Sequence, residues 1–143
     1  MTPRRATLDL VRRHKLITNL RADGRLIAME EGKQVPFPIK RAFVVCDMPA
    51  GAERGGHAHR ETNQFLVTTS GHCRVICDDG KTQAVHLLDK PDEGLWIPPG
   101  IWATQTYLTA NAVLVVLCDT LYDEGDYLRD YPEFQAWRDD RHG

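Results

Sequence analysis

Short runs rich in β-branched and aromatic residues, broken at close intervals by turn formers, constrain this chain more than any other feature. Ten such runs are expected as strands: residues 16–20, 25–30, 40–46, 55–59, 63–68, 72–77, 82–87, 94–97, 103–107 and 113–118. Between them stand Ala22-Asp23-Gly24, Pro49-Ala50-Gly51, Ser70-Gly71, Lys90-Pro91-Asp92 and Pro98-Pro99-Gly100. Asp78-Asp79-Gly80, flanked by Arg74-Val75-Ile76-Cys77 and Thr82-Gln83-Ala84-Val85, reads as a hairpin. Only the end differs in character. From Asp119 the chain turns acidic and aromatic, and residues 126–137 are expected to form one or two short helical turns, with Pro132 near the start of the last turn and Asp130 as its cap. Many short strands and almost no helix predict an all-β jelly roll closed around a pocket. One domain is expected over residues 1–143, with 1–15 a flexible lead-in and 119–143 a tail.

Composition removes several classes of function. The 143 residues carry a net charge of -2, and Arg4, Arg5, Arg12, Arg13 and Lys15 form no basic block, so nucleic acid is not expected as a partner. No apolar run nears the roughly 18 residues that a membrane span needs. Met1 to Leu20 lacks the apolar stretch and cleavage site of a secretory signal. Cys46, Cys73, Cys77 and Cys118 form no Cys-x-x-Cys pair and each sits in an apolar run, as buried free thiols do in a reducing cytoplasm.

The chemistry concentrates in Arg54-Gly55-Gly56-His57-Ala58-His59. On a strand, side chains at i and i+2 share a face, so His57 and His59 point the same way, with Cα atoms about 7 Å apart. Such a pair can hold a metal, satisfy hydrogen bonds or move protons. Imidazole suits the last role because its ordinary pKa of about 6.5 leaves both protonation states accessible. Among the flanking cations Lys40, Arg41, Arg54, Arg60 and Arg74, Arg41 and Arg54 bracket the histidine strand, and arginine grips diphosphates in a bidentate way. Trp96, Trp102 and Tyr107 could stack a base or sugar, or simply pack the mouth of the barrel.

The spacing Gly51-x5-His57-x-His59-x4-Gln64-x6-Gly71 resembles the first motif of the cupin fold, with Gln64 where metal-binding cupins carry glutamate. Their second motif aligns with residues 94–103 and places Ala103 where a third histidine ligand would stand. Two imidazoles, an amide and a methyl group make a poor metal site, so no metal is expected.

The chain further resembles the nucleoside-diphosphate-sugar 3,4-ketoisomerases, cupins acting on TDP-4-oxo-6-deoxyglucose. The resemblance is carried by Pro36-Phe37-Pro38-Ile39-Lys40-Arg41, Arg54-Gly55-Gly56-His57-Ala58-His59-Arg60, Gln64, Asp78-Asp79-Gly80, Gly94-Leu95-Trp96-Ile97 with Trp102, and the run from Tyr122 to Tyr131. It implies a metal-independent isomerase needing no cofactor, working as a homodimer with exchanged N-terminal strands and moving a ketone between C4 and C3 of a TDP-linked 4-oxo-6-deoxyhexose. His57 would carry the carbon protons and His59 those on oxygen. Arg41 and Arg54 would hold the diphosphate, and Gln64, Lys40, Arg74, Trp102 and Tyr107 would complete the substrate site. The chain departs from the family at Asp23, Phe43, Val44, Gly56 and Ala103. A weakly catalytic sugar-nucleotide-binding cupin and a metal-dependent cupin oxygenase are the competing readings.

Overall fold

A computed structural model describes residues 6–139. In chain order the strands are β1 (Arg12–Lys15), β2 (Ile17–Arg21), β3 (Gly24–Ala28), β4 (Arg41–Val45), β5 (Ala52–His59) and β6 (Gln64–Ser70). They continue with β7 (Cys73–Asp78), β8 (Gln83–Leu88), β9 (Glu93–Ile97), β10 (Trp102–Tyr107), β11 (Val113–Cys118) and the short β12 (Tyr127–Leu128), before helix α1 (Tyr131–Asp139). One sheet runs β1-β9-β6-β11-β4 and the other β12-β5-β10-β7-β8, while among the described residues β2 and β3 pair only with each other. This is a jelly roll of two facing sheets that do not close into one barrel.

Alternation along the strands builds the core. Leu66, Leu95, Leu114 and Val116 of the first sheet meet Cys73, Val75, Cys77 and Tyr107 of the second, and each is almost fully buried. A buried aliphatic side chain contributes about 1.5–3 kcal/mol. The opposite face of β6 is buried too: Phe65 and Val67 lie beneath Leu16, Val35 and Phe37. That double burial makes β6 a near-continuous apolar run. The β7–β8 turn forms as expected, with Asp79 Oδ1 accepting from the backbone N–H groups of Lys81 (2.9 Å) and Thr82 (2.8 Å). Asp130 caps α1 by accepting from the Glu133 N–H at 3.0 Å, with Pro132 in the first turn.

Three expectations need correction. Residues 12–15 are not a loose lead-in: Arg12 to Lys15 pair with Trp96 to Glu93 as an edge strand, anchored by buried Val11 and Leu16. Residues 1–5 lie outside the described residues. Cys46 is exposed, unlike the buried Cys73, Cys77 and Cys118. The acidic tail also returns to the second sheet, where Tyr127 pairs with His59 and Leu128 with Ala58.

Candidate active site

The site is built around an irregularity in β5. Arg54 pairs with Gln105 and Gly55 with Thr104, but His57 pairs with Ala103, leaving Gly56 as an extra residue. Gly55 and Gly56 take φ values of 89° and 74°, a region glycine enters without steric cost. At Gly55 a Cβ would lie 2.8 Å from the Ala103 carbonyl oxygen.

Beyond this bulge Ala58 packs outward against Leu128 and Phe134, whereas His57 and His59 occupy the inner face. Their ring centroids are 5.2 Å apart and their planes nearly perpendicular, at 87°. The Tyr127 ring lies 4.9 Å from His57 and 4.4 Å from His59. Burial, the neighbouring His59 and the Arg129 charge together push the His57 pKa down to about 4, so this imidazole is neutral at ordinary pH.

His59 is held differently. Its Nδ1 lies 2.7 Å from Asp126 Oδ2, and both side chains are buried. Asp126 also accepts from the Thr62 hydroxyl at 2.5 Å and the Glu61 N–H at 2.6 Å. Burial raises the Asp126 pKa, but the hydrogen bonds from His59, Thr62 and Glu61 outweigh it and leave the carboxyl below its ordinary value. An ionised carboxylate can only accept, so the proton between the two groups sits on Nδ1. The His59 Nε2 is buried and has no hydrogen-bond partner among the described residues. Arg60 fastens the tail that brings Asp126 here, its Nη1 donating to the carbonyls of Gly125 (2.8 Å) and Tyr127 (3.0 Å).

A cavity of about 780 Å³ opens beside His57, lined by Arg41, Arg54, Gln64 and Tyr107 from four strands. The Arg41 guanidinium stands 4.8 Å from the Phe43 centroid and 5.1 Å from that of Tyr122. Tyr107 is fully buried, and burial lifts its phenol to about 12.

Lys40, Arg74 and Trp102 do not line this cavity. Exposed Arg74 alternates with inward-facing Cys73 and Val75, and exposed Lys40 precedes Arg41 with opposite parity. Trp102 faces outward, 5.2 Å from Tyr131 and 5.5 Å from Phe134. Trp96 likewise leaves the site, its Nε1 donating to Asn63 Oδ1 at 2.9 Å. Sequence reasoning gave no role to Asp126, Tyr127 or Arg129, although the tail motif containing them was visible. Among the described residues no three His, Cys, Asp or Glu side chains converge as a ligand set for a metal.

The family model described as "FdtA: WxcM-like, C-terminal" matches residues 10–139. The chain belongs to the FdtA family. A relative from Aneurinibacillus thermoaerophilus, TDP-4-oxo-6-deoxy-alpha-D-glucose-3,4-oxoisomerase, is 40% identical over 114 residues, covering 80% of this chain and 82% of its own. The crystal structure of a 3,4-ketoisomerase from Helicobacter canadensis matches with a TM-score of 0.88 at 33% identity, over 91% of this chain and 98% of that one. A 3,4-ketoisomerase from Thermoanaerobacterium thermosaccharolyticum, solved as a variant in complex with TDP-4-keto-6-deoxyglucose, gives a TM-score of 0.90 at 27% identity, covering 94% and 98%. Family and fold agree with the reading of the sequence.

Proposed function

We propose that the protein interconverts the 4-oxo and 3-oxo forms of a TDP-linked 6-deoxyhexose through the two imidazoles, without a metal in the reaction. The observation that carries this reading is the Asp126-backed His59, buried behind the cavity wall with its Nε2 unpartnered among the described residues and its ring 5.2 Å from that of His57, which lines the cavity. The names of the relatives support the substrate class.

In this reading His59 Nε2 takes the proton from C3. The C–H electron pair forms the C3–C4 double bond, and the carbonyl π electrons move to O4. A proton passes from O3 to O4 by way of His57, which is neutral and so can accept and donate in turn. Return of a proton from His59 to C4 then leaves the carbonyl at C3. This division reverses the roles first given to the two histidines. The change follows from Asp126, which fixes the His59 ring through Nδ1 and leaves its Nε2 without a hydrogen-bond partner among the described residues, while burial weakens His57 as a base. Arg41 and Arg54 would hold the diphosphate at the cavity wall, with Gln64 and Tyr107 shaping its floor.

The assembly belongs to the same proposal. Among the described residues the β2–β3 hairpin pairs with no other strand, and it exposes Ile17, Leu20 and Leu26, as expected of an element exchanged within a homodimer. A cytoplasmic location is supported by the free thiols of Cys73, Cys77 and Cys118. No described helix is long and apolar enough to cross a membrane.

The test is to incubate chelator-treated protein with TDP-4-oxo-6-deoxyglucose in deuterated water and follow the sugar by NMR. The expected result is deuterium at C3 or C4 together with a 3-oxo sugar. His59→Asn should abolish exchange at C3, whereas His57→Asn should retain slow exchange at C3 without ketone transfer. Line broadening without exchange would favour the binding module, to which the bare methyl of Ala103 opposite His57 lends support. Turnover restored only by iron or manganese would mean a metal enzyme.

A further inference from the structure

The strongest unassigned feature is the charged cluster at the rim of the cavity. Arg129 grips Glu124 in a fork, Nε to Oε1 at 2.7 Å and Nη2 to Oε2 at 3.0 Å. The Tyr122 hydroxyl donates to the same carboxylate at 2.6 Å. Half or more of each side chain in the Glu124–Arg129 pair is exposed, at 58% and 52%, where an ion pair contributes little to stability. Yet this pair is fixed from three directions. The guanidinium lies 4.2 Å from the Tyr127 centroid, and the Tyr127 ring touches both imidazoles. Contacts therefore run without a gap from Glu124 through Arg129 and Tyr127 to His57 and His59.

We propose that Glu124 and Arg129 are positioning residues for the isomerisation, clamping the Tyr127 ring against the two proton-carrying imidazoles. The proposal rests on the reading of His57 and His59 as the proton carriers. A cation stacked on an aromatic face restrains that ring, and the bidentate carboxylate restrains the cation in turn. With Tyr127 fixed, neither imidazole can rotate into the space the ring fills. The same carboxylate reaches the other side of the cavity through Tyr122, whose ring lies under Arg41.

Electrostatics supplies a signature that mere packing would not. Burial is the main cause of the depressed His57 pKa; beyond it, the Arg129 charge lowers the value further and the Glu124 charge raises it. The other titratable or charged groups around His57 are His59, Glu53 and Arg54 on β5, Arg41 and Cys46 from the β4 side, Tyr107 from β10, and Tyr127. Substituting the pair leaves the chemical identity of each of these groups unchanged.

The experiment uses the full chain with Arg129→Gln, Arg129→Lys, Glu124→Gln and Tyr127→Leu. Turnover is read with TDP-4-oxo-6-deoxyglucose, and the His57 imidazole is titrated by NMR without substrate. Arg129→Gln and Tyr127→Leu should each lower kcat about tenfold with KM within about threefold, the pattern of lost transition-state geometry. The His57 midpoint should rise in Arg129→Gln and fall in Glu124→Gln, while Arg129→Lys should restore the midpoint without restoring kcat. Melting temperatures close to the parent's would show that the fold is intact. Midpoints that stay put or move the same way would overturn the proposal, as would shifted midpoints with unchanged kcat. A parent protein that leaves the sugar unexchanged would defeat the functional reading, and the titrations would still decide whether the pair reaches His57.

Discussion

Replacing Asp126 by asparagine changes few atoms and should disable the site. The carboxylate accepts three hydrogen bonds, at 2.7 Å from His59, 2.5 Å from Thr62 and 2.6 Å from the Glu61 N–H. Hydrogen bonds to a charged group contribute about 1.5–3 kcal/mol each, against about 0.5–1.5 kcal/mol for neutral ones, so the change should cost roughly 3 kcal/mol of stability. At about 3 °C per kcal/mol for a domain of this size, Tm should fall by roughly 10 °C. The larger effect is on proton position. The amide NH2 would donate to His59 Nδ1, move the ring proton to Nε2 and remove the free base. A wrong tautomer of this kind should lower kcat by about 100-fold to 10,000-fold while TDP affinity stays within about threefold. Deuterium wash-in at C3, measured well below the variant's melting point, is the assay. A kcat within threefold of the parent would refute the assignment of His59 as the base. Acid pH adds a check of sign. Because the folded Asp126 pKa is depressed, its stabilisation is present above the ordinary aspartate value of about 3.9 and is lost as pH falls through the lower folded value, so the Tm gap between parent and variant should narrow there.

Other consequences are quicker to check. Gly55→Ala must carry a side chain at φ 89° against the Ala103 carbonyl, and should lower stability by about 1–3 kcal/mol in denaturant unfolding. Lys40→Ala and Arg74→Ala, both off the cavity, should leave KM within about twofold, and a larger rise in steady-state assays would return them to the site. The double change Leu20→Asp with Leu26→Asp, at residues 79% and 61% exposed in a single chain, should shift the protein to monomer in light scattering; an unchanged dimer would mean that the hairpin is not its interface.

Much of this architecture was visible in the sequence where a strand buries one or both faces. The cores of β6 and β11 fall on their expected runs because apolar residues there are continuous. β1 was missed because Arg12, Arg13, His14 and Lys15 carry almost no apolar pattern; backbone pairing and the flanking Val11 and Leu16 hold it in place. β12 is too short for periodicity to register. Within the site, the histidine pair was legible from spacing alone. Asp126 was not, since it meets His59 across 67 residues and only the completed fold brings them together. Parity explains the misplaced aromatic: Trp102 and Tyr107 lie an odd number of residues apart on one regular strand and cannot both face inward. Applied to residues 102–107, that rule would have kept only one of the two; the fold buries Tyr107 and turns Trp102 out against Tyr131.

The extra glycine in β5 has a consequence for what the cavity can measure. Arg54 and His57 are three apart and would point to opposite sides of an unbroken strand; with Gly56 as an extra residue both line the cavity. In the proposed function one rigid element thus carries a grip for phosphate and a proton carrier at a fixed separation, like marks on a ruler. A ligand one phosphate shorter could satisfy one mark but not both, so competition binding of TMP against TDP should expose a length requirement set by the backbone of a single strand.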